Sequence, residues 1–587
     1  MPLFDATYKW KLAFFIGIPV VIGIWKFCYK HVASKGTTSE EKKEEQEQEQ
    51  EQEQKQSVDE LEVSAELKDN EFCETNPKPD THVHLAALRS ANDYKNEGSR
   101  CYRDRKYLEA ITLYGMAIDT CPEQRPTELA IYYQKRADCY EKLKNWSMVK
   151  EDCSNALEHD HRYAQAYYCR ARAHEATGDL KDCLIDITAS CIIEKSMNDD
   201  LNKFLERVLM ETARIDAEWK VYSQAPLFAN KFDILSFTRS FATDERMNGS
   251  SDAPPPRGFH RALSAFHEEQ FADVIPSCTE EIDSSEADYK MEALLMRGTF
   301  QLFLGAYEEG KQDVDAVLQK INANVQLRIS TYLWSAVLQV LLGKKQEGLE
   351  ILEKAEKWHP NNADLFYQRA LMLCDMERFH EAFWDFSQAS RLAPHNATTE
   401  LQKHFTEYRI AVREENQLGI QIAIRDLQES IASFPPCADG YSMMAQVRVE
   451  QKDFAEAMKC LQMAVKLNPS SATLLVQKAM LEEHWHGDLK KVAMMLKTAI
   501  SVDPQCYLAH WKLGLVHLML RNLTKAVGDF EKACILAKDN DELMQSYKFR
   551  NATVAKIGAF QLLRIVKDDP LLLSDLGVPG FQRLVLL

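Results

Sequence analysis

The sequence predicts an all-α protein, a superhelix of about 10 to 11 helix pairs behind one amino-terminal membrane helix. Three observations lead there. Only 21 Gly and 19 Pro occur in 587 residues, too few turn residues for an all-β architecture of many short strands. Hydrophobic residues make up 45% and charged ones 27%, the balance of a chain that buries ordinary cores. The decisive signal is a repeat of 34 residues, the mark of a stack of identical helix pairs rather than of several unrelated domains.

With Ala91 as position 1, Tyr94 falls at position 4, Gly98 at 8, Ala110 at 20, Tyr114 at 24, Ala117 at 27 and Pro122 at 32. The same frame returns as Phe366, Ala370, Ala382, Phe386, Ala389 and Pro394, and as Tyr441, Ala445, Ala457, Leu461, Ala464 and Pro469. A further copy reads His510, Gly514, Ala526, Phe530 and Ala533. This is the tetratricopeptide pattern. Small residues at 8 and 20 let the two helices of a pair approach closely, and an aromatic at 4 or 24 fills the space between pairs. Pro at 32 stops the second helix. Weaker copies carry position 8 at Ala137, Ala171, Gly298, Ala336 and Ala479, and insertions break the phase between the first and second copies and around Arg413 to Ile422.

Leu12 to Trp25 carries no charge, with lysines on both sides. Those fourteen residues cover about 21 Å, short of a hydrocarbon core of about 30 Å. Extending the span from Trp10 to Tyr29, with Lys11 and Lys26 snorkelling, restores the length. A cleaved signal peptide would place small residues behind the apolar core, whereas Tyr29-Lys30-His31 follows it. Basic residues on both flanks leave the orientation open. Glu40 to Gln56 is almost pure Glu, Gln and Lys, a spacer that buries no core. A loop-rich stretch, Thr243 to Gly258, divides the repeats. The expected organisation is a short segment 1–11, an anchor 12–29, a charged spacer 30–84, three repeats and a following helix in 85–222, a linker 223–258, and a second repeat domain 259–587.

A net charge of -18 argues against nucleic acid as a partner, because phosphate binding needs concentrated basic surface. The 15 cysteines form no metal-spaced pairs, so no cofactor or metal is expected. Cys101, Cys153 and Cys183 fall at packing positions 11, 24 and 20 and read as core filling. His159-Asp160-His161 and His484-Trp485-His486 fall at turns between helices and read as solvated turns. Five N-x-S/T sequons, at Asn145, Asn248, Asn396, Asn522 and Asn551, matter only in the secretory lumen. No P-loop, Rossmann glycine pattern, H-E-x-x-H or nucleophile elbow is present, so the expected role is binding, not catalysis. A solenoid offers a concave surface lined by the first helix of each pair, suited to peptide ligands.

Local stretches add a resemblance. YQKRADCYEKLKNWSMVKEDCSNALE (Tyr133 to Glu158), ARAHEATGDLKDCLIDITASCIIE (Ala171 to Glu194), PLFANKFDILSFTRSF (Pro226 to Phe241) and FPPCADGYSMMAQ (Phe434 to Gln446) resemble the seventy-kilodalton receptors of the mitochondrial outer-membrane protein translocase. That resemblance implies a single outer-membrane span with the repeats in the cytosol. It implies mitochondrial precursor proteins with internal signals, bound by the carboxy-terminal repeats and passed to other translocase subunits. It also implies heat-shock chaperones docking their Glu-Glu-Val-Asp tails on the amino-terminal repeats. In that family the tail clamp uses Lys and Asn four apart in the first repeat, Asn in the second, and Lys and Arg four apart in the third. Here those positions are Lys95 and Ser99, Lys135, and Gln165 and Cys169, and Lys95 alone keeps the family residue. A membrane-anchored cochaperone or assembly scaffold on another membrane, such as the endoplasmic reticulum, is the alternative the residues leave open.

Overall fold

The computed structural model describes residues 79–195, 198–223, 234–235, 238, 257–320, 325–537 and 540–565. The expected anchor at 12–29 and nearly all of the spacer lie outside these residues, and among them no helix is long and apolar enough to cross a membrane. Every regular element described is helical, with twenty-four α-helices and one short 3-10 turn. Three helix pairs stand before the linker and eight after it, in the expected range.

The repeat positions do what their sizes require. A Cβ placed on Gly98 would stand 3.0 Å from the ring of Tyr114, so position 8 admits the aromatic at position 24 because it has no side chain. Ala110, Ala137, Ala171, Ala370, Ala382 and Ala457 are wholly excluded from solvent, and Phe386 and Phe530 fill the equivalent of Tyr114. Cys153 and Cys183 are buried as core residues, while Cys101 is half-exposed. Burial pushes the Cys183 thiol up to about 12, which keeps it protonated.

Two further regularities run through the repeats. The turn between the helices of a pair places position 15 in the left-handed region, as Arg105, Lys144, Gly178, Gly305, Gly343, Glu377, Glu415, Lys452 and Arg521. This one residue reverses the chain and lets the next helix begin. An arginine at position 7 meets an aspartate at position 23 in four repeats, as Arg136 with Asp152, Arg170 with Asp186, Arg297 with Asp313 and Arg369 with Asp385. Each pair joins the first helix to the second through two N–H···O bonds of 2.7 to 2.9 Å. Asn145 and Asn396, two of the sequon asparagines, are helix caps whose side chains accept backbone N–H bonds.

The contacts divide the chain into two units. One holds α1 (Pro79–Arg103), α2 (Tyr107–Thr120), α3 (Pro126–Lys142), α4 (Trp146–His159), α5 (Ala164–Thr177), α6 (Leu180–Ile193) and α7 (Asp199–Ser223). Residues 517–534 and 543–565 belong to it as well. The helix Asn540–Leu562 lays Ala555 against a core that includes Cys183, Ile187 and Leu205, and Ala559 against one that includes Ala189, Ile192 and Tyr167. Lys548 pairs with Glu206 at 2.6 Å, and Asn551 donates to Asp216 at 2.9 Å. The other unit comprises the described residues between 234 and 516, with 535–537 and 540–542. Its largest core runs from Phe259 to Ala389, with Trp334 and Phe300 fully buried, and a second centres on Leu401, Leu427, Met443 and Leu461.

Candidate functional site

In the amino-terminal unit the sequence-selected positions lie on the first helices of three successive pairs, α1, α3 and α5, and of them Lys135 and Cys169 share one neighbour. Ser99 is turned back onto its own helix. Its hydroxyl donates to the carbonyl of Lys95 at 2.9 Å and shares a hydrogen bond of 3.0 Å with the Tyr114 hydroxyl. Lys95 is half-buried one turn earlier. Gln165, at the start of α5, is exposed, and Cys169 one turn later is buried.

The residue that gathers this region is Asp138 on α3. One of its oxygens accepts from the Gln134 amide at 2.7 Å and faces the Cys169 thiol at 3.9 Å. The other stands 3.8 Å from the Lys135 ammonium. One turn on, Glu141 forms an ion pair with Arg172 of α5. Burial raises both carboxyl groups above their usual range, opposed at Asp138 by Lys135 and Gln134 and at Glu141 by Arg172. The Tyr102 hydroxyl of α1 is pushed up to about 12, first by burial and then by the charge of Asp138. Lys135 and Cys169 therefore meet, and they meet around an acid.

Reading family positions alone overlooks Asp138, Glu141 and Gln134. A signal was present, since Gln134, Asp138 and Glu141 follow at the spacing of three and four that puts residues on one helical face. Asp138, Glu141 and Cys169 each bring a ligand atom within 4.8 Å of the others, as do His404, Glu407 and Asp426 in the other unit. Protein cations already stand against these carboxylates: Lys135 and Arg172 in the first trio, and Arg425 at Asp426 in the second. Both trios are ion-pair networks in this fold. His159 ends α4, and Asp160 and His161 lead into the turn beyond it, where the Asp160 carboxylate accepts from the Arg162 N–H at 2.9 Å.

In the other unit, position 2 of the first helix carries Asp364 and Asp439, and position 6 carries Gln368 and Gln477. Burial, then Asp439 and Asp364, raise the Tyr367 hydroxyl beyond its ordinary range. The Asp439 carboxyl is raised to about 6 by burial. Gln477 accepts a hydrogen bond of 2.8 Å from Ser442 on the preceding pair.

A stack of helix pairs, admitting a large residue at position 24 against a small one at position 8, defines a helical-repeat scaffold. Family models for the tetratricopeptide repeat match residues 438–471 and 493–541. The human mitochondrial import receptor subunit TOM70 is 31% identical over 494 residues, covering 81% of this chain and 81% of that protein. The subunit of the same name from Saccharomyces cerevisiae is 22% identical over 537 residues at the same coverage. The crystal structure of the yeast Tom70 aligns at a TM-score of 0.46 and 21% identity, covering 83% of this chain and 99% of that one. The chain belongs to the family of the mitochondrial import receptor subunit TOM70.

Proposed function

We propose that this protein is a receptor on the mitochondrial outer membrane, anchored through residues 12–29 with its repeats in the cytosol. Its carboxy-terminal repeats take precursor proteins with internal targeting signals and pass them to other subunits of the translocase. The observation that carries this reading is identity with a mitochondrial import receptor across four-fifths of both chains.

Chaperone docking on the amino-terminal repeats is weak in this reading. Lys95, Ser99, Lys135, Gln165 and Cys169 occupy the clamp positions. The neighbouring arginines do not replace the missing charges, since Arg170 is held by Asp186 and Arg172 by Glu141. A tail ending in aspartate needs fixed cationic donors, and losing charge-assisted bonds of about 1.5 to 3 kcal/mol each weakens it by at least roughly tenfold.

Two measurements test the reading. A chain tagged at its carboxyl end and imaged against mitochondrial and reticulum markers should coincide with mitochondria; a reticulum pattern would favour the scaffold alternative. Pull-down of a hydrophobic carrier precursor should exceed that of a soluble matrix precursor, and equal or absent binding of both counts against a receptor.

A further inference from the structure

We infer that Asp138 and Glu141 are the specificity determinants of the amino-terminal groove: they occupy from within the cations that a ligand's terminal carboxylates would otherwise take. This inference rests on the reading of Lys95, Ser99, Lys135, Gln165 and Cys169 as tail-clamp positions.

Of the cations on α3 and α5 near Asp138, Lys135 and Arg172 are each engaged by an acid of the chain itself. Lys135 stands 3.8 Å from Asp138, and Arg172 pairs with Glu141. The buried Gln134 amide gives its hydrogen bond to Asp138 at 2.7 Å. Cys169, at the position where the family carries a guanidinium, lies 3.9 Å from the same carboxylate. A guanidinium there would fall on Asp138 before it reached any ligand. The groove therefore differs from a carboxylate clamp in two separable ways: cations are missing, and fixed negative charge has been added. An incoming tail meets repulsion at Asp138 and must displace Lys135 and Arg172 from existing partners. Specificity set by a built-in repulsive element of this kind is distinct from mere loss of contacts.

The two effects give different signatures in a mutant cycle read by calorimetry with a peptide ending in Glu-Glu-Val-Asp. Asp138→Asn keeps the shape of the side chain and the acceptor for Gln134 while removing the charge, and circular dichroism checks that the repeats stay folded. Against the unchanged protein, Asp138→Asn should raise affinity about fivefold or more. Cys169→Arg alone should gain little, because Asp138 neutralises the new guanidinium. Cys169→Arg with Asp138→Asn should exceed the product of the two single gains, the coupling expected of neighbouring charges. If Cys169→Arg alone restores binding and Asp138→Asn changes nothing, the weakness comes from missing cations only; the inference is then overturned while weak docking stands. Tight binding by the unchanged protein would instead overturn the weak-docking reading itself. No gain in any of the three variants overturns the role given to Asp138.

Discussion

Arg170 donates two hydrogen bonds of 2.7 Å to the carboxylate of Asp186, sixteen residues on, and with them ties α5 to α6. The aspartate side chain is 3% exposed and the arginine 15%, so the pair works in a low dielectric where each charge depends on the other. Removing one partner leaves the other charged and uncompensated. Asp186→Ala should therefore destabilise the amino-terminal unit by about 3 to 5 kcal/mol, read as a lower urea midpoint. Replacing both residues by leucine should cost much less than Asp186→Ala alone. A double variant as unstable as the single one would show that the pair contributes by more than mutual neutralisation.

The left-handed turn at position 15 yields a prediction about the backbone alone. Lys144 sits there at φ 57°, and Gly178 occupies the same place in the next repeat at φ 82°. Lysine carries a cost in this region of roughly 1 kcal/mol that glycine avoids, offset in part by the greater freedom of glycine in the unfolded chain. Lys144→Gly should raise stability by about 0.5 kcal/mol, and Gly178→Ala should lower it by about 1 kcal/mol. Thermal unfolding of the two variants gives opposite shifts if the turn geometry is right.

Asp439 supplies a pH dependence. Burial raises its carboxyl from 3.8 to about 6, so the folded chain holds this proton more tightly than the unfolded one. Its contribution is most favourable below about pH 4, declines as pH rises toward about 6, and is level above that. Asp439 is only partly covered, which places the cost of its charge at neutral pH in the lower range, about 1 to 2 kcal/mol. Asp439→Asn should stabilise the protein at pH 7 by that amount and leave it nearly unchanged at pH 4. Parallel stability profiles for the two proteins across this window would contradict the assignment.

Deleting residues 1–35 should give a folded protein that no longer fractionates with membranes, since the repeats begin well beyond the expected anchor. Helical content and the urea midpoint should match those of the full chain. Retention on mitochondria as tight as before would place the anchor elsewhere.

The helix pairs could be read from the sequence because their packing is local. Position 8 must admit position 24 within one repeat, and the alanines and glycines that make this possible recur where the eye can find them. Other features depend on which of several neighbours a long side chain reaches. Arg170, Arg172 and Cys169 lie within four residues of one another, yet one arginine turns to Asp186, the other to Glu141, and the thiol to Asp138. Neighbours on a helix point about 100° apart, so proximity in sequence says little about which groove a charge enters.

By itself, then, the sequence determined the class of this protein: the 34-residue period, the apolar segment near the amino end and the absence of any catalytic constellation were all in its letters. The tertiary structure alone decided two matters. One is that the helix Asn540–Leu562 packs on α6 and α7, through Lys548 and Glu206, which stand 342 residues apart. The other is that Lys135 and Cys169 are set around Asp138. The physical reason is the same in both cases: burial and pairing across helices depend on which neighbouring helix each side chain faces, which a repeat consensus does not encode.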